Sequence, residues 1–93
     1  MLTLIRRTIL MEKKIASIVI LITKGADTHT LNSILSDYSQ VILGRQGLNI
    51  VHRNISIISL IIEADNDIIG ALSGKIGKLH NIKVKTSQLS INN

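Results

Sequence analysis

The chain has no cysteine, no proline, no tryptophan and no phenylalanine, and its one aromatic residue is Tyr38. Lack of cysteine excludes a disulfide framework and a thiolate metal centre. A sheet without aromatics offers nucleobases nothing to stack on, which argues against that mode of RNA and single-strand recognition. Long hydrophobic runs are missing too. The apolar stretches Ile15–Ile22 and Ile55–Ile62 have eight residues each, against the roughly 20 that a membrane-crossing helix needs. The formal charge is +5, but it is not gathered into a nucleic-acid footprint. Setting Arg6 and Arg7 aside leaves nine basic residues against six acidic ones, scattered along the chain. That pattern suits an ordinary soluble surface, and no basic DNA-reading element is recognisable.

What is present is aliphatic. Hydrophobic residues make up 45% of the 93, and isoleucine alone about a fifth. A core of Ile and Leu points to helices packed on a sheet. Ninety-three residues make one domain. A chain this short buries only about 60–65% of its unfolded surface, so an isolated monomer is marginal. Met1–Leu10 is apolar with two arginines and lacks a small-residue cleavage site, so it is a poor signal peptide. Met11-Glu12-Lys13-Lys14 looks like a start in its own right. Residues 1–10 are therefore expected to be an extension outside the core, residues 11–86 the domain, and residues 87–93 a polar, frayed tail. Cytoplasmic location is the default.

Ile15–Ile22 is β-branched and bounded by charges and by Thr23-Lys24-Gly25, which predicts a strand buried on both faces or nearly so. Asp27 or Thr28 can cap a helix carrying Leu31, Ile34, Leu35 and Tyr38 at helical spacing. Val41–Arg45 is a second strand, with a break or bulge at Gly47-Leu48-Asn49 and a turn at Arg53-Asn54. Ile55–Ile62 is a third strand as apolar as the first. A helix follows from about Asn66 to Leu79, then a turn at Asn81. Ile82–Thr86 alternates as a half-exposed strand does. The order β-α-β-β-α-β is the split βαβ pattern. It predicts an α+β, ferredoxin-like fold with two helices on one face of a four-stranded antiparallel sheet. Strands one and three are then central.

The second helix has two faces. At 100° per residue Ile68, Ile69, Leu72, Ile76 and Leu79 share one side, and Gly70, Ser73, Gly74 and Gly77 share the other. Glycine inside a helix costs roughly 1 kcal/mol against alanine. The glycine face therefore predicts close approach of another surface, and Gly70, Ser73, Gly74 and Gly77 are candidates for an oligomer interface.

Three stretches together resemble the small family named as regulators of the iron-only hydrogenase system. They are Asp65-Asn66-Asp67-x-Ile69-Gly70-Ala71-Leu72-Ser73-Gly74-Lys75-x-Gly77, the ending Val84-Lys85-Thr86, and Ile55–Leu60 ahead of them. The resemblance spans about residues 11–86. It implies a stand-alone ACT-like domain of ferredoxin-like fold, a regulatory role in transcription or in the hydrogenase system, a homo-oligomer, and a small-molecule or protein partner. Family members commonly carry Arg-x-Gly-Ile-Pro-Tyr after strand two. Here Arg45-Gln46-Gly47-Leu48-Asn49-Ile50 has neither the proline nor the tyrosine.

The loop Lys24-Gly25-Ala26-Asp27 precedes a helix N-terminus, where exposed N–H groups can hold an anion or a carboxylate. Lys24, Gly25 and Asp27 are thus candidate ligand-binding residues, and the resemblance implies an amino acid as the type of ligand. His29, His52 and His80 are weaker candidates, for a metal. The topology sets them at one end, but no pair has ligand spacing, and opposite sheet edges lie roughly 14 Å apart. Asp65, Asn66 and Asp67 suit helix capping. No nucleophile–base pair, phosphate loop or dinucleotide fingerprint is visible. The expectation is a regulatory, non-enzymatic module with no cofactor. Its alternatives are a nucleic-acid binder of the same fold and a small enzyme of the dimeric α/β-barrel type.

Overall fold

The structure, a computed structural model, describes residues 12–90. The extension expected over residues 1–10 lies outside the described residues. The chain folds as β1 (Lys14–Ile22), α1 (Thr28–Asp37), β2 (Ile42–Ile50), β3 (Ile55–Ala64), α2 (Asn66–Gly77) and β4 (Ile82–Ser90). One four-stranded sheet has the order β2-β3-β1-β4, every neighbour antiparallel. This is the ferredoxin-like α+β architecture that the periodicities predict, with the two most apolar strands in the centre.

Register explains the core. Ala16, Ile18 and Ile20 of β1 stand opposite Ile62, Leu60 and Ile58 of β3. Side chains on a strand alternate between faces, so these six share the helix side. Leu31 and Leu35 of α1 and Ile69, Leu72 and Ile76 of α2 close over them, each at most 2% exposed. Asp65 caps α2 by accepting the Ile68 N–H at 2.9 Å.

Three features differ from the sequence reading. First, β1 and β3 are buried on one face only. Val19 and Ile61 point to the other side of the sheet and are each 41% exposed. The reason is architectural: both helices lie on one side, and the described residues form no third layer. Second, β2 runs unbroken through Gly47-Leu48-Asn49. Its register shift comes earlier, between Ile42 and Gly44, where Leu43 is pushed outward. Continuous partners on β3, Leu48 with Ile57 and Ile50 with Ile55, hold the ladder where glycine alone would loosen it. Third, β4 continues past Thr86 to Ser90, because β1 is long enough to pair with it as far as Lys14↔Ser90. Backbone pairing is indifferent to the polarity that suggested a frayed end.

Candidate functional site

The β1–α1 loop is stitched to the start of β4. Asn81, itself left-handed at φ 60°, donates its side-chain amide to the Lys24 carbonyl at 3.0 Å. Its own carbonyl accepts the Thr23 N–H at 3.0 Å and the Thr23 hydroxyl at 2.9 Å. Gly25 sits at φ +85°, where a side chain is strained, and a Cβ there would lie 3.2 Å from the Asn81 amide nitrogen. Gly25 thus has a structural reason to be glycine. Asp27 is the α1 N-cap and accepts the Thr30 N–H at 3.0 Å and the Thr30 hydroxyl.

Those Thr30 hydrogen bonds, side chain first and then backbone, hold the Asp27 carboxyl below its ordinary value of 3.8. A lowered folded-state pKa means that the native state binds its proton less readily than the unfolded chain. The stabilisation is therefore complete above pH 3.8 and disappears as the pH falls through the folded-state value. Asp27→Asn keeps a capping side chain but removes the titration. It is expected to flatten the acid limb of the stability–pH curve below about pH 4. Urea midpoints measured between pH 2 and 6 check this, and equal slopes in both proteins would refute it.

The small-residue face of α2 divides into two. Ser73 Oγ lies 2.7 Å from Thr86 Oγ1 of β4, and a Cβ on Gly77 would lie 3.3 Å from Val84 Cγ1. These two positions face the sheet edge. Gly70 and Gly74 are exposed, and a Cβ on either meets nothing within 4 Å. Beside them Lys75 stands 5.0 Å from the centre of the Tyr38 ring. The neighbouring Tyr38, and to a lesser extent the Asp37 carboxylate, hold the lysine's pKa above its ordinary value. His29, His52 and His80 are all exposed. Among the described residues no three His, Asp or Glu come together in a set that could hold a metal.

The sequence reading missed a groove between α1 and the edge strand β2. Its cavity is about 420 Å³, with an apolar floor including Ile22, Leu31 and Ile58 and a polar wall of Arg45, Asn32, Asn49 and Ser56. It continues past Asn49 and Ser56 into a second cavity of about 370 Å³ reaching Lys24. Of the three ligand candidates, only Lys24 lines either cavity. The Arg45 guanidinium donates to Asn32 Oδ1 at 3.5 Å, and the Ser56 hydroxyl donates to Asn49 Oδ1 at 2.8 Å. Asn49 and Ser56 are direct partners across the β2–β3 ladder. A strand break at Gly47 would separate Arg45 from Asn49. An unbroken strand sets Arg45, Gly47 and Asn49 on one face, and that spacing of two is the signal that could have revealed the wall.

Comparison with known proteins follows from this geometry. Residues 14–86 match the family model described as "TM1266-like: Iron-only hydrogenase system regulator, putative". The solved structure of uncharacterized protein TM1266 from Thermotoga maritima is similar at 36% identity with a TM-score of 0.80. The match covers 85% of this chain and 100% of that one. None of the curated proteins matches.

Proposed function

Because the chain belongs to the TM1266-like family of iron-only hydrogenase system regulators, we propose that it is a small ACT-like regulatory module. In this reading it works in the cytoplasm as a homo-oligomer and responds to a small ligand or a protein partner, without catalysing a reaction. Among the described residues no helix is long and apolar enough to cross a membrane.

One observation supports the oligomer: the sheet face opposite the helices has an aliphatic middle that nothing among the described residues covers. Ile61 beside Ser17, Val19 beside Ser59, and Leu21 between Ile57 and Lys83 form its middle. Leu48 and Leu89 extend it to both edges, at 57% and 71% exposure. An antiparallel sheet commonly leaves one face to water, but that face is then polar, whereas Ile57, Ile61, Val19 and Leu21 stand together here. A second copy supplies a cover that is absent among the described residues. Four strands of nine residues span roughly 19 by 30 Å. Pairing two such faces removes on the order of 1,100 Å² in total, just above the roughly 1,000 Å² floor for a biological interface. Glu63 at one end of β3 and Lys83 and Lys85 on the edge strand β4 are charges of this face, so a twofold pairing can set the carboxylate over a lysine of the other copy.

Sedimentation equilibrium tests this. The wild-type protein is expected to associate, and Ile61→Lys, which puts a cation in the middle of the contact, to weaken association at least about a hundredfold. Gly74→Leu, on the open face of α2, is expected to leave association unchanged. A monomeric wild type, or dissociation by Gly74→Leu instead of Ile61→Lys, would sink the sheet-face pairing.

A further inference from the structure

We propose that the groove between α1 and β2 binds a small organic carboxylate with a short branched aliphatic chain. The carboxylate sits on Arg45 and the side-chain amides of Asn32 and Asn49, and the chain on Ile22 and Ile58. The inference rests on the reading of the domain as a ligand-responsive regulator and names the class of ligand.

The hydrogen bonds already present select the ligand's chemistry. Arg45 can only donate, so its contact commits the Asn32 oxygen as an acceptor. The Ser56 hydroxyl donates to the Asn49 oxygen. Each of these oxygens already accepts one hydrogen bond, while both amide NH₂ groups and most guanidinium N–H groups have no acceptor among the described residues. No Asp or Glu lines either cavity, and Lys24 adds a second cation at the far end. A wall of donors and positive charge fits a group that only accepts. A guanidinium pairs such a group through two parallel hydrogen bonds.

The floor separates a carboxylate from a phosphate. Ile22, Leu31 and Ile58 give the groove an apolar side, which phosphate cannot use and an aliphatic chain can. The volume, about 420 Å³, lies toward the small end of ligand sites. The donor wall also separates a simple acid from an amino acid, since no carboxylate stands in the groove to pair an ammonium group. Gly47, between Arg45 and Asn49 on the strand, leaves the groove open, because a Cβ there meets nothing within 4 Å.

Titrations followed by ¹H–¹⁵N NMR on the full chain test the proposal through the Asn32 and Asn49 amides and Arg45 Nε–H. Four probes are compared. They are 3-methylbutanoate, its uncharged amide, valine and inorganic phosphate. The acid is expected to shift all three signals and to bind at least about tenfold more tightly than each of the others. Arg45→Gln, which removes the charge, and Gly47→Val, which fills the groove without changing charge, are each expected to weaken it by at least about tenfold. Both positions are exposed on an edge strand, so native-like spectra are expected for both variants. Unmoved signals, equal binding of the amide, preference for phosphate or valine, or unchanged affinity in both variants would each overturn the proposal. Such a failure leaves the sedimentation result, and the pairing of sheet faces, standing.

Discussion

Leu72→Ala is expected to lower the unfolding free energy by about 3 kcal/mol. Leu72 is fully buried on the inner side of α2, within a cluster that includes Ile69, Ile76 and the β1 and β3 side chains beneath them. Truncation removes the transfer energy of the lost methyl groups and leaves a cavity that a close-packed core closes only in part. A chain of this length has on the order of 5–14 kcal/mol in total, and small domains lie toward the lower end. The thermal midpoint should therefore fall by about 15 °C. Calorimetry at one fixed protein concentration checks it, since self-association makes the midpoint concentration-dependent. A fall under a third of that size would mean that α2 is not docked through this side chain.

Replacing Gly70 and Gly74 together by alanine is expected to act in the opposite direction, by about 1.5–2 kcal/mol of added stability. Both are interior to α2 and exposed, and a Cβ at either meets open space. The gain comes chiefly from the unfolded chain, which alanine restricts more than glycine does. The midpoint should rise by about 10 °C, with association unchanged. Gly77→Ala should give less, because its Cβ would press on Val84 at 3.3 Å. Thermal scans of the double and single variants test the ranking. A double variant no more stable than wild type would show that these glycines already serve a contact that tolerates no methyl group.

Local pattern carried most of the architecture. The apolar runs Ile15–Ile22 and Ile55–Ile62, the helical spacing of Leu31 and Leu35, and the alternation from Ile82 onward each have a period that belongs to one element type. Their order admits few topologies. Capping by Asp27 and Asp65 was legible for the same reason: a cap acts within its own turn. The loop residues were harder to interpret. Lys24-Gly25 reads as a ligand loop from its neighbours in sequence, and only the fold adds that Asn81, 56 positions after Gly25, braces the backbone there. Gly47 looks like a break, yet β3 carries the strand straight through it.

Composition and spacing were enough to settle the order of elements, the helix-side core and the family, because these rest on short-range periodicity and on contiguous motifs. Folding alone decided that the described residues leave one side of the sheet bare and that Arg45, Asn32, Asn49 and Ser56 share a wall. Both depend on pairing register between distant segments, and on which side two helices occupy. A linear pattern cannot state either, since a strand with both sides apolar reads the same whether its cover comes from its own chain or from another.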